Sequence, residues 1–280
     1  MKFTQSQLAA YNEIGYVVIE CPFEAELTAR CLEAVDAVAI DPAKNTDDKR
    51  RNHFRLKPQM SDTYWCDLDH SLPFLHIELH PEIVELIRQL SGMDDLYFRN
   101  GGINELAPER SFAWHRDSNE NYVEFMHYFS GGTVEQGCLR VIPGSHIGPS
   151  EPYLDAVKQQ RQLAGFPEDY KGDLLDDVEL PGEVSLEIDP GHMIVRNSAI
   201  FHSTWINRST SGRLMHHWLF READKDNHRF RFEEYLTAEL IAELTPEQHQ
   251  VLWLGRDFEI CETYRKERER ELNKVIWGII

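Results

Sequence analysis

The sequence predicts a mainly β architecture with flanking helices, most simply a double-stranded β-helix (jelly roll). Three observations carry this. From about residue 96 to about 222, short runs rich in β-branched and aromatic residues alternate with Gly, Pro and Asn turn signals, the pattern of an antiparallel sandwich or barrel. Helical periodicity is concentrated before and after that stretch. The 280 residues contain no internal repeat and no low-complexity linker, and β-sandwich enzymes of this length are commonly one domain. The expectation is therefore a single domain over 1–280, with a jelly-roll core at about 95–222 and helical support at 1–92 and 235–280.

The elements follow in order. Thr4 with Gln7 forms a capping-box pattern that opens a helix through about Glu13, Gly15 stops it, and YVVIE reads as a strand. Residues 24–40 have helical periodicity, whereas charge density rises and periodicity fades over 41–69, which reads mostly as loop. A helix is expected over 74–90. The β-type runs are LYFRNGGINEL, FAWHRD, YVEFMHYF, CLRVI, VSLEI, HMIVRN, AIFHSTWI and RLMHHWLFRE. Residues 151–175 are polar and partly helical, an insertion over one rim, and 237–252 and 257–275 read as helices.

Composition narrows the function classes. Forty-eight acids against 29 bases give a formal charge of −19, with no cluster of Lys and Arg, which argues against nucleic acid as a partner. The five cysteines show no paired spacing, as expected of free thiols in a reducing compartment. No apolar run is long enough to span a bilayer, and the N-terminus lacks a signal-type apolar core. A soluble cytoplasmic protein without a membrane partner is expected, acting on a small molecule.

The chemistry is concentrated in His115-Arg116-Asp117, His202 and Arg213. Two imidazoles and a carboxylate on one face of an octahedron hold a ferrous ion and leave three positions open. On a strand, residues two apart point the same way, so His115 and Asp117 can share one metal while Trp114 and Arg116 face the opposite side. A distant strand carrying His202 supplies the third ligand, and the guanidinium fork of Arg213 suits a carboxylate. The triplet alone is weak, because His76-Ile-Glu78 and His80-Pro-Glu82 also occur in a stretch of helical spacing, where they read as partly exposed polar residues. Pro143-Gly144-Ser145 fits a tight turn, and His146 after it reads as structural.

What separates His115 from those decoys is its company. GCLRVIPGSH at 137–146, GHMIVRNSAIFHSTWINRSTSGR at 191–213, SFAWHRD at 111–117 and TQSQLAAYNEIGYVVI at 4–19 resemble the phytanoyl-CoA dioxygenase family of iron(II)/2-oxoglutarate oxygenases. The resemblance runs from about Thr4 to about Phe220. It implies iron(II) held by His115, Asp117 and His202, with 2-oxoglutarate and dioxygen as co-substrates. Arg213 is implied to bind the distal carboxylate of 2-oxoglutarate, with Thr204 assisting. Many relatives carry a lysine about ten residues before the first ligand; this chain has Asn104 and Glu105 there, and Asn104 is a candidate co-substrate contact. Related halogenases replace the carboxylate ligand by a small residue, so Asp117 favours hydroxylation, or a related oxidation, of a C–H bond of a small metabolite with release of succinate and carbon dioxide. Candidate pocket residues are Tyr97, Arg99, Asn100, Met126 and Tyr128. Two alternatives stay open: a cupin-like metal enzyme that does not use 2-oxoglutarate, and a non-catalytic relative of the fold. Arg213 discriminates against the first and the intact ligand set against the second.

Overall fold

The computed structural model describes residues 2–37, 68–92, 95–119, 122–166, 177–222, 232–234 and 238–256. The helix expected over 257–275, the end of the 151–175 insertion and nearly all of the loop expected over 41–69 lie outside them.

The chain opens as its sequence dictates. Helix α1 (Gln5–Ile14) is capped by Thr4, whose hydroxyl accepts from the Gln7 amide while the Gln7 side chain returns to the Thr4 amide. Gly15 ends it at φ 88°, where a Cβ would be strained, and strand β1 (Tyr16–Glu20) follows. Helix α2 (Ala25–Ala37) matches the periodicity of 24–40.

The single helix expected over 74–90 is instead two, α3 (Leu68–Glu78) and α4 (Pro81–Ser91). Pro81 has no amide proton to donate and pushes the preceding residue out of the helical region. His80 accordingly sits at φ −58°, ψ 134° and caps α4, its Nδ1 accepting from the Glu82 amide at 3.3 Å. His76 and His80 therefore do not share one helical face. The same break divides 237–252 into α6 (Ala238–Glu243) and α7 (Pro246–Val251), with Thr245 as cap.

A five-stranded antiparallel sheet has the order β1, β6 (His192–Asn197), β3 (Val123–Tyr128), β8 (Arg213–Glu222), β2 (Leu96–Leu106). A smaller sheet has the order β5 (Val184–Leu186), β4 (Leu139–Val141), β7 (His202–Thr204). Helix α5 (Glu151–Leu163) forms the insertion. The sheets face each other across Met126, Tyr128, Ile194 and Met215 on one side and Leu139, Val141 and Leu186 on the other. They do not close into a barrel, and the result is the expected mainly β jelly roll with flanking helices. The far face of the large sheet, with Phe125, Val195, Trp218 and Phe220, is covered by Phe74, Leu75, Ile83 and Ile87 of the helices. Strand alternation thus gives the large sheet one apolar helix side and one side free to carry a site.

The helix side also buries polar groups. Glu78 and His216 are fully buried and joined by Oε1 to Nε2 at 2.8 Å. A Cβ on residue 101 would lie 1.8 Å from Glu78 Oε1, so the strand needs glycine there. Burial pushes the Glu78 carboxyl well up and the His216 imidazole well down, which makes this an uncharged hydrogen-bonded pair. His127 lies between Phe23 and Phe129, ring centroids 5.2 and 4.9 Å away, with neither ring nitrogen hydrogen-bonded.

Burial lowers the His127 imidazole from 6.5 to about 4. A depressed folded-state value means that the unfolded chain binds the proton first. Its contribution to stability is therefore complete above pH 6.5 and is lost as pH falls toward 4, on the order of 3 kcal/mol at the lower limit. His127→Leu is expected to raise the melting temperature and to flatten its decline between pH 6.5 and 4. A decline as steep as the parent's in thermal melts across that range removes His127 as its cause.

Candidate metal centre

The stretch FAWHRD, expected as a strand, is a loop that forms a single isolated β-bridge to the sheet, with one further contact at Phe112. His115 and His202 exchange backbone hydrogen bonds, each 2.9 Å, as an isolated antiparallel bridge. Two residues on, the Thr204 amide donates to Phe112 O at 3.0 Å and the Thr204 hydroxyl accepts from the Phe112 amide at 2.7 Å. Side chains on the outer side hold this loop by tertiary contacts rather than by a ladder. Trp114 stacks on Phe201 and donates from Nε1 to Val178 O at 3.0 Å, and Arg116 donates to Ser145 O and Gly148 O. His146 likewise has a structural role, its Nε2 lying 3.2 Å from Asn12 O.

The bridge brings the three candidate ligands together. His115 Nε2 lies 3.1 Å from Asp117 Oδ1, His202 Nε2 lies 3.6 Å from Asp117 Oδ2, and the ligand atoms are all within 4.8 Å of one another. Ligands about 2.1 Å from an ion and at right angles are about 3 Å apart, so the set fits a divalent cation with small adjustment. The imidazoles are oriented for it. His115 Nδ1 meets Ala113 O at 2.7 Å and His202 Nδ1 meets Ile200 O at 3.0 Å. A carbonyl only accepts, so each Nδ1 carries the proton and each Nε2 presents its lone pair. Burial alone raises the Asp117 carboxyl, but Arg196 and the two imidazoles outweigh it and hold it well below the usual range. Burial, then Arg196, pushes His202 well down. Near neutral pH His202 is neutral and Asp117 ionised, the forms that bind metal. Among the described residues this is the group of three able to hold an ion.

Arg213, at the start of β8, is buried with 3% exposure, and its Nε and Nη1 have no partner. Its guanidinium stands over the Tyr128 ring at 4.5 Å and beside Gly132, where a Cβ would come within 3.7 Å of Cδ. Both Tyr128 and Asn104 lie opposite Met215 in the strand registers, and both keep an unpartnered buried oxygen. A buried cation without a counter-ion is costly, so this cradle is chemically incomplete without a carboxylate. It faces the same inter-sheet space as the triad: His202 and Thr204 pair with Val141 and Leu139, which line that space. The residues present therefore fit both a divalent ion and a 2-oxo acid beside it.

The other sequence candidates divide. Met126 lines the inter-sheet space. Tyr97 does not reach it; the ring is packed into the helix-side core against Phe232 and Trp253. Arg99 and Asn100 lie on β2 with side chains outside the described residues. Sequence reasoning gave no role to Glu124 and left Arg196 undecided. The available signal was alternation: each is a charged residue on the face of its strand that also carries Met126 or Ile194.

Three comparisons with known proteins agree with this architecture. The family model described as phytanoyl-CoA dioxygenase matches residues 11–215. The ectoine dioxygenase of Sphingopyxis alaskensis is 26% identical over 220 residues, covering 71% of this chain and 69% of that protein. EctD from S. alaskensis, solved with 2-oxoglutarate and 5-hydroxyectoine, superposes with a TM-score of 0.55 at 20% identity over 79% of this chain and 77% of its own. HygX from Streptomyces hygroscopicus, solved with iron bound, gives 0.62 at 15% identity over 86% and 94%. At these identities the solved structures show the fold.

A ligand that binds only the folded state stabilises it by mass action, about 2.7 kcal/mol at a hundredfold excess over its dissociation constant. Iron(II) added without oxygen is expected to raise the melting temperature of the parent and to leave that of His202→Ala unchanged. An equal rise in both, read by anaerobic scanning calorimetry, shows that the ion binds elsewhere.

Proposed function

The chain belongs to the phytanoyl-CoA dioxygenase family, and on that premise we propose that it hydroxylates a C–H bond of a small-molecule metabolite. In this reading His115, Asp117 and His202 hold iron(II), and Arg213 holds 2-oxoglutarate. The reaction class is iron(II)- and 2-oxoglutarate-dependent oxidation of a small-molecule substrate. Bound iron, 2-oxoglutarate and dioxygen supply the oxidant, with succinate and carbon dioxide as by-products; the protein supplies placement and exclusion.

The observation that carries the residue assignment is the unpaired guanidinium of Arg213 on the same inter-sheet face as the triad. Its fork can take a distal carboxylate with two charge-assisted hydrogen bonds. The Thr204 hydroxyl accepts from Phe112 and so keeps its own proton to donate to that carboxylate. Tyr128 lies under the guanidinium and fixes its plane, and its buried hydroxyl is available to the co-substrate. Asn104, at the lysine position of many relatives, offers an amide there in place of a cation.

The prime substrate approaches from the side of His115 and Asp117, whose side chains are 27% and 32% exposed, whereas His202 and Arg213 are closed off. The named relative is an ectoine dioxygenase, and a structure of it holds 5-hydroxyectoine, which supports a small prime substrate. Among the described residues no helix is long and apolar enough to cross a membrane. Cys21, Cys31 and Cys138 are free, which supports a reducing, cytoplasmic setting.

Removing the fork tests the assignment. Arg213→Ala is expected to raise the Michaelis constant for 2-oxoglutarate at least about tenfold, and to weaken the visible charge-transfer band of the anaerobic iron(II) complex at fixed co-substrate. Arg213→Lys should recover part of both. An unchanged constant in Arg213→Ala sinks the co-substrate role of this residue.

A further inference from the structure

Two of the arginines buried in the large sheet, Arg213 and Arg196, have opposite surroundings. Arg213 lacks a counter-ion. Arg196, on β6 and 2% exposed, is compensated: Nη2 contacts Asp117 Oδ2 and Glu124 Oε2, and Nε lies 3.1 Å from Met126 Sδ. Nη1 stands 3.2 Å from His202 Nδ1, whose proton points to Ile200 O and which therefore takes no hydrogen bond from it. His217 Nδ1 approaches Glu124 Oε1 to 3.3 Å without a hydrogen bond between them. A cation engaged in this way has no room for a substrate carboxylate, and its contacts run to two of the three metal-ligand side chains.

We infer that Arg196 is a positioning residue that holds Asp117 as a one-oxygen metal ligand. The inference rests on the iron(II)/2-oxoglutarate reading of the same site. Asp117 sits in a loop whose backbone meets β7 at Phe112 and His115, on the N-terminal side of Asp117, and its side chain is one-third exposed. Nothing in a strand ladder fixes its rotamer. A carboxylate can bind a metal through one oxygen or two, and the choice matters here. A facial triad leaves three coordination positions, two for the 2-oxo acid and one for dioxygen; a second carboxylate oxygen would take one of them. Arg196 occupies Oδ2 and leaves Oδ1 toward His115 Nε2. Glu124, on the same guanidinium nitrogen, keeps Arg196 in place and neutralised whether or not Asp117 holds an ion. The result is an aspartate whose second oxygen is reserved.

A purely structural counter-ion for Glu124 would not affect metal affinity, and this separates the two roles. The measurement is anaerobic iron(II) affinity, by competition with a chromogenic chelator, for the parent, Arg196→Lys and Arg196→Met, with circular dichroism as the check on folding. Arg196→Met is expected to bind iron(II) about 10- to 100-fold more weakly, the usual cost of losing a residue that orients a metal ligand. Its charge-transfer band at saturating iron and 2-oxoglutarate should also be diminished. Arg196→Lys keeps the charge but lacks the fork, and should fall between. If Arg196→Met does not fold, Arg196→Met/Glu124→Gln removes the stranded buried carboxylate and is read in the same way. Folded variants that bind iron(II) within about twofold of the parent, or more tightly, overturn the inference. A parent that binds iron(II) but shows no 2-oxoglutarate band defeats the co-substrate reading instead, and the Arg196 affinities still decide the positioning role.

Discussion

One pair of backbone hydrogen bonds, between His115 and His202, makes the site possible. The two histidines are far apart in sequence, and the segment carrying His115 is not a strand. Without the bridge, that loop would keep one backbone hydrogen bond to β7, at Phe112, three residues before the first ligand. With the bridge, the two imidazoles come to a centroid separation of 4.2 Å, and Asp117 follows because it is two residues on. The hydrogen bonds of Phe112 to Thr204 extend the same seam by one more contact. The metal geometry is therefore set by backbone pairing, which is directional and short-ranged, rather than by attraction among the ligands. Two imidazoles and a carboxylate without an ion have little reason to converge.

Buried charge is the second constraint, and the molecule meets it differently at each position. Arg140 is fully buried between Trp114 and Trp205, with Ser203 and Glu183 as polar partners, and secures β4 beneath the loop. Arg196 is compensated by two carboxylates, Asp117 and Glu124. Glu78 and His216 avoid the cost by staying uncharged together. Arg213 leaves both Nε and Nη1 unpartnered, with no carboxylate beside it, in a cradle of aromatic ring and glycine. Where Arg140 and Arg196 each have a carboxylate partner, a buried guanidinium without one marks a place where an anionic ligand would complete the electrostatics.

Much of this was legible in the sequence, and the failures have definite causes. Capping chemistry is local, so Thr4, Gln7 and Gly15 gave the first helix and its end. Runs of β-branched and aromatic residues between turn signals gave the strands, several of which are buried on both faces. Proline was underweighted twice: Pro81 and Pro246 each divide an apolar pattern whose periodicity looks continuous. FAWHRD has strand-like composition, but its outward Trp114 and Arg116 find partners in loops and near α5, so no ladder forms. Tyr97 precedes the metal segment as expected of a pocket residue, yet the helical turn at 232–234 and Trp253 close over it. Arg196 and Glu124 were the hardest to read. Each becomes meaningful only when β6 and β3 pair and bring the charges beside a carboxylate from a distant loop.

The same geometry explains why the reaction class is easier to recognise than the substrate. The cradle proposed for the co-substrate draws its residues from β2, β3, β7 and β8 in the body of the two sheets, where strand pairing fixes their register. Those positions cannot change without disturbing the packing between Met126, Met215, Leu139 and Val141. The exposed side of the metal lies instead at the loop bearing Asp117 and at the strand ends near it. There a change in a side chain alters what can approach without altering what holds the ion. A deeply buried half fixes the chemistry, and an open half, free of ladder constraints, is where the identity of the prime substrate is written.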